Sequence, residues 1–168
     1  MKIELKNIKT YERMSEETTC FTADLFVNGK KLCSVENTGK GGSTDYQLHN
    51  FNHSGLLKEV EQYCKELPKV IYHETEYEQN LESVIDDLLE KHLDKKADLK
   101  LQKDMEKGLV YGNKKTYFLV SWGKENSIAK MLTNPNGVLP LRSKIKELLN
   151  NGETILNTNL PQNFLEKI

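Results

Sequence analysis

The run Cys20-Phe21-Thr22-Ala23-Asp24-Leu25-Phe26-Val27-Asn28-Gly29-Lys30-Lys31-Leu32-Cys33-Ser34-Val35 has the signature of a β-hairpin. Phe21, Ala23, Leu25 and Val27 recur at period two, which places them on one face of a strand. Asn28-Gly29 is the dipeptide that a type I′ turn favours, because both of its central residues need a positive φ. A two-residue turn there sets Leu25 opposite Leu32 and Ala23 opposite Ser34, with Asp24 near Cys33 and Thr22 near Val35. On the N-terminal side, Ile3, Leu5 and Ile8 stand among Lys, Glu and Asn, as in an edge strand whose charges discourage further pairing. Ser15-Glu16-Glu17 is turn-like. Residues 2–36 therefore predict a three-stranded antiparallel meander with one apolar face.

After residue 50 the periodicity changes. Leu56, Val60, Tyr63, Cys64 and Leu67 fall at helical spacing, with Ser54 as the expected N-cap and Pro68 as the stop. Val70-Ile71-Tyr72 is either a short strand or a connector. Leu81, Val84, Ile85, Leu88, Leu89 and His92 mark a long helix over 77–106, with a break expected near Asp94–Asp98, where the stripe weakens, and an end at Gly108. Leu109–Tyr111 and Thr116–Trp122 predict a second hairpin around Gly112-Asn113-Lys114. Asn134-Pro135-Asn136-Gly137 predicts a turn, and Pro140 the first turn of a helix that carries Leu141, Ile145, Leu148 and Leu149. Thr154–Asn157 adds a last strand. Strands, then helices, then strands predict an α+β fold: an antiparallel sheet, the meander plus a second hairpin, packed against two or three helices. The length of 168 residues suits a single domain, with 109–168 as a smaller C-terminal lobe.

With 37% hydrophobic and 29% charged residues, the composition is that of a soluble globular chain rather than a disordered one. There is no apolar run long enough to cross a bilayer, and the N-terminus lacks a signal-peptide core, so no membrane partner is expected. Cys20, Cys33 and Cys64 are an odd number without a CxxC pair; that predicts buried thiols in a cytoplasmic protein, not a disulfide or zinc framework. The net charge of −1 conceals an asymmetry: residues 109–168 carry eight Lys/Arg against four Asp/Glu, a net of +4, leaving −5 for residues 1–108. This falls short of the basic footprint of a dedicated DNA-binding domain, and nucleic acid is a weak expectation.

The candidate site is the stretch after the hairpin. Asn37, Thr38, Gly39, Lys40, Gly41, Gly42, Ser43 and Thr44 combine glycine amides, hydroxyls and one cation, and a backbone free to take positive φ can curl its N–H groups around an anion. Tyr46, or Phe51, offers a face for a ring. A small phosphate-bearing ligand is the expected partner. The stretch is no P-loop, because that motif needs G-x-x-x-x-G-K-[ST] and here Gly41 follows Lys40. The competing expectation is a Gly-rich turn leading into the first helix.

Other constellations are weaker. His49 and His53 lie near Asp45 without a further ligand at metal spacing, so neither a metal nor a cofactor is expected. Asp86, Asp87 and Glu90 read as the solvated face of the long helix, with magnesium for a nuclease as the sharper alternative. Tyr111, Tyr117, Phe118 and Trp122 interleave with Lys114, Lys115 and Lys124, a pattern that either packs a core or stacks bases.

Ser15-Glu16-Glu17-Thr18-Thr19-Cys20-Phe21-Thr22-Ala23, Val27-Asn28-Gly29-Lys30, Val35-Glu36-Asn37 and Gly39-Lys40-Gly41-Gly42 resemble the N-terminal region of a group of uncharacterised phage and prophage proteins. That region runs roughly S-x-E-T-x-C-F-x-A, an Asn-Gly or Asp-Gly hairpin, then V-x-N-x-G-x-G-G. The likeness covers about residues 1–50, and Lys40 stands where the pattern often has His. It implies a phage or mobile-element origin and, for such a protein, the host cytoplasm. The resulting expectation is a non-catalytic accessory binding protein, with counter-defence by nucleotide binding as its use. The alternatives are a nuclease or nucleotide hydrolase whose site assembles only in the fold, and a module that binds a host protein or nucleic acid through the basic, aromatic C-terminal third.

Overall fold

A computed structural model describes residues 1–48 and 50–165. Its first four strands, β1 (Ile3–Thr10), β2 (Phe21–Val27), β3 (Lys30–Asn37) and β4 (Asp45–Leu48), form one antiparallel sheet in the order β1-β2-β3-β4. Asn28 and Gly29 sit at φ 48° and 82°, as a type I′ turn requires. The register beyond the turn differs from the simple one. Val27 pairs with Lys30 and Phe26 with Lys31, but Leu25 then pairs with Cys33, Ala23 with Val35 and Phe21 with Asn37. Leu32 is the extra residue of a β-bulge, which leaves two residues of one strand facing one of the other.

The reason is burial. Without the bulge, Ser34 and Glu36 would share the face of Leu25, and Cys33 and Val35 would turn to water. With it, Leu32, Cys33 and Val35 are all 0–1% exposed. Each apolar side chain so covered contributes roughly 1.5–3 kcal/mol. A second bulge in β1, between Lys6 and Lys9, holds Asn7 at φ 54°, and the Asn7 side-chain Nδ2 donates to the Asp24 carboxylate at 2.7 Å.

The fourth strand corrects the three-stranded expectation, and it makes the Gly-rich stretch a strand-to-strand loop rather than the approach to a helix. Helix α1 (Ser54–Lys65) follows, with His53 rather than Ser54 in the N-cap position. A two-stranded ribbon comes next, β5 (Val70–Tyr72) and β6 (Thr75–Tyr77), so Val70–Tyr72 is a strand; its turn residues His73 and Glu74 both have positive φ. Helix α2 (Leu81–Lys107) runs unbroken through Asp94–Asp98. No Gly or Pro interrupts it, and good helix formers sustain a helix where the apolar stripe fades.

The chain divides into two compact units, 1–93 and 94–168. In the first, the inner sheet face packs with Val60 and Cys64 of α1 and with Leu81, Ile85 and Leu89 of α2. Leu93 joins this core, whereas His92, placed on the stripe by periodicity, is exposed.

In the second unit, β7 (Leu109–Gly112) and β8 (Tyr117–Val120) form the expected hairpin. The predicted last strand reduces to one bridge, Tyr111 with Ile155, flanked by hydrogen bonds from the Gly112 amide to Thr154 and from the Leu156 amide to Val110, both 2.9 Å. Helix α3 (Ile128–Thr133) was not legible in the sequence, and α4 (Pro135–Asn150) starts five residues before Pro140. Asn134 caps α4 and Pro135 occupies its first turn, so the expected Asn-Pro turn is a helix start. Gly137 permits the close approach of α3 and α4, since a Cβ there would lie 2.8 Å from the Met131 Cα. Leu109, Ile128, Met131, Leu141, Ile145 and Leu148 form this core. A short α5 (Gln162–Leu165) closes the described chain.

Candidate functional site

The loop between β3 and β4 is built around Asn37, which is 7% exposed. Its Oδ1 accepts from the Gly39 amide and from the Thr18 hydroxyl, each at 2.8 Å. Its Nδ2 donates to the Gly42 carbonyl at 3.0 Å and to the Thr44 hydroxyl at 3.3 Å. The carboxamide is thereby saturated as both donor and acceptor.

Gly39 sits at φ 85°, and its carbonyl accepts the amides of Glu16 (2.9 Å), Glu17 (3.1 Å) and Thr18 (3.3 Å). A Cβ at Gly39 would run into the Met14 carbonyl and Cys20, so glycine is required there for space as well as for φ. The Gly41 amide donates to the Thr18 hydroxyl at 3.3 Å. Thr44 closes the loop: its amide donates to Glu82 at 2.7 Å and its hydroxyl to Asp86 at 3.2 Å.

The amides of Gly39, Gly41 and Thr44 are thus committed within the chain. Among the described residues, the amides of Thr38, Lys40, Gly42 and Ser43 have no partner, and all four residues are exposed.

Two hollows flank the loop. The first is a cleft of about 630 Å³ between the 15–19 segment and α2, touched by Asn37 and Gly42. Phe21, Leu89 and Leu93 give it an apolar floor, and Glu16, Glu17, Glu82, Asp86 and Glu90 line it with carboxylates; among the described residues, no Lys, Arg or His lines it. The second, of about 500 Å³, is lined by Ser43, Thr44, Asp45 and Tyr46 together with Glu61, Lys65 and Glu82. The Tyr46 hydroxyl donates to Glu61 at 3.1 Å; burial first, and then Glu61, push its pKa up.

The predicted site residues are therefore distributed. Asn37 and Gly42 meet the acidic cleft, and Ser43, Thr44 and Tyr46 meet the second hollow. Thr38, Gly39, Lys40 and Gly41 line neither. His49 and the side chain of Phe51 lie outside the described residues.

The electrostatics of the cleft are negative. Asp86 keeps much of its surface in water, yet the protein packed round its carboxyl raises its pKa; the Thr44 hydroxyl opposes the shift and the neighbouring Glu82 charge adds to it. Sequence reasoning missed Thr18, whose hydroxyl joins Asn37 to Gly41, because nothing local marks it. Glu82, Asp86 and Glu90 carried a signal: spaced four apart, they lie along one side of α2.

Among the described residues, no group of three or more His, Cys, Asp or Glu is placed to hold a metal, and no helix is long and apolar enough to cross a membrane. Compared with protein-family models, with curated proteins and with solved structures, the chain matches none.

Proposed function

We propose that this chain is a non-catalytic binding protein whose binding surface is the acidic cleft framed by the β3–β4 loop and α2. The carrying observation is the lining itself: an apolar floor of Phe21, Leu89 and Leu93 beneath five carboxylates, with no cation among the described residues that line it. Such a surface suits a basic segment of a partner protein, whose Lys or Arg stems cover the floor while their heads meet the carboxylates. Asn37 and Thr44, with their polar side-chain atoms already bonded within the chain, act here as scaffold. In a phage or mobile element, the setting that the likeness of residues 1–50 implies, the partner is a host protein and the binding serves counter-defence.

A second reading keeps the phosphate-bearing ligand and rests on the free amides of Thr38, Lys40, Gly42 and Ser43 beside the exposed Lys40. The carboxylates of Glu17 and Glu82, both close to the loop, oppose it.

Isothermal titration decides between the two. A Lys/Arg-rich peptide is expected to bind, to weaken as salt rises, and to lose its affinity in Glu17→Gln/Glu90→Gln. Binding of a nucleotide panel that Lys40→Ala abolishes, with no response to basic peptide, would reverse the assignment.

A further inference from the structure

Strand β8 has one partner and one open edge among the described residues. Hydrogen-bond parity fixes which groups that edge presents. On β7, the Gly112 amide donates to Thr154 and the Val110 carbonyl accepts from Leu156, so both residues turn their main-chain groups away from β8. Their cross-strand neighbours, Tyr117 and Leu119, must turn theirs away from β7. Among the described residues, no group takes the N–H or C=O of either. Two donors and two acceptors at alternate residues thus bracket Phe118, which is 58% exposed, and Leu119 itself is 39% exposed. The strand is also held in place, because the Tyr117 hydroxyl donates to Asp104 at 3.1 Å.

We propose that β8 is a self-association edge, pairing antiparallel with β8 of a second copy about a two-fold axis at Phe118. The sheet then continues as β7-β8-β8-β7. Three features favour a second copy over a foreign strand. Tyr117 of each copy faces Leu119 of the other, so every free donor meets a free acceptor in four hydrogen bonds. Phe118 faces its own equivalent at the non-hydrogen-bonded position, where side chains come closest. The Tyr111–Phe118 stack, with centroids 5.4 Å apart, then extends into a row of four rings. Continued outward, the register sets Lys115 opposite Ser121 and Lys114 opposite Trp122, so no lysine faces a lysine. The contact is isologous and closes on itself, which ends assembly at a dimer.

The test uses the full chain. Sedimentation equilibrium over a concentration series is expected to show the mass rising from 19.4 kDa towards twice that value. Phe118→Glu and Phe118→Lys each place like charges on the axis and should each sediment as monomers, while an equimolar mixture regains the dimer as Glu meets Lys. Hydrogen exchange on the unmutated chain gives an independent measure: the amides of Tyr117 and Leu119 gain protection as concentration rises. A chain that stays at 19.4 kDa throughout overturns the proposal. So does a dimer that survives both substitutions, or one that forms without protecting those two amides.

Discussion

Thr44 donates its amide to the carboxylate of Glu82 at 2.7 Å, and that bond fastens the β3–β4 loop to the first turn of α2. The hydroxyl of the same residue reaches Asp86, one turn further on, at 3.2 Å. One threonine therefore engages two carboxylates that repel each other, a local cost accepted where the loop must be held against the helix.

Neutralising Asp86 should relieve that repulsion. A carboxyl whose folded pKa is raised above its unfolded value weakens the fold as pH rises through that interval, because the unfolded chain gives up its proton first. Asp86→Asn keeps an acceptor for the Thr44 hydroxyl and removes the charge. Like charges four apart on a helix cost roughly 0.2–0.5 kcal/mol. Thermal unfolding at neutral pH should therefore show the variant higher by about 1 °C for a chain of this size. The difference should vanish in acid, where the wild-type carboxyl is protonated. A difference that persists there would place the effect elsewhere than in the charge.

The glycines of the loop should respond unequally. Gly39→Ala meets the Met14 carbonyl and Cys20 at a positive φ, and should destabilise by about 2 kcal/mol or more in chemical denaturation. Gly42→Ala meets nothing within 4 Å, and its φ is not positive. It should stay within about 0.5 kcal/mol of wild type. Equal losses at the two positions would contradict the close packing of Gly39 on Met14 and Cys20.

Asn157 should prove as important to the second unit as Asn37 is to the first. It is 7% exposed; its Oδ1 accepts from the Val110 amide at 2.6 Å, and its Nδ2 donates to the carbonyls of Met105 (3.1 Å) and Gly108 (3.0 Å). Asn157→Leu takes this partner from the Val110 amide and the Gly108 carbonyl, while the Met105 carbonyl keeps the Asn159 side-chain amide at 2.9 Å, and it should cost about 3 kcal/mol. Amide exchange at Val110 should accelerate with it. An unchanged Val110 rate would show that another group takes the amide.

The thiols should be silent until the chain unfolds. Cys20, Cys33 and Cys64 are all buried and free, and burial pushes the Cys33 thiol up to about 11, despite Lys31 nearby. A disulfide exchange reagent should find no reactive thiol in the native protein at mildly alkaline pH and three in denaturant. Rapid native labelling of Cys33 would contradict its packing.

The elements that local chemistry specifies were legible. Asn28-Gly29 announced its turn, and Leu56, Val60 and Cys64 announced α1. The α+β class followed from element order. What the sequence hid depends on distant partners. The bulge at Leu32 is visible only when the core rewards burying Val35 over Ser34. β4 is a strand because β3 offers it an edge: Asp45-Tyr46-Gln47-Leu48 alone is too short a pattern to call. Asn134-Pro135 serves a turn or a helix start equally well, and the packing of Gly137 on Met131 selects the helix. At the site, glycine content suggested an anion cradle. The sequence could not show that Asn37, Thr18 and Glu82 would claim three of those amides, or that Glu17 and α2 would bring carboxylates to the same place.

The bulge at Leu32 also bears on how the gene can change. The turn sets the phase of β3 and the bulge resets it, so the segment Lys30–Cys33 carries one residue more than even pairing needs. Loss of one codon there would remove the bulge and restore even pairing, with Cys33 still opposite Leu25 and Val35 still opposite Ala23. A one-residue deletion just after Gly29 should therefore be tolerated far better than loss of Ser34, after which Cys33 and Val35 can no longer both face the core.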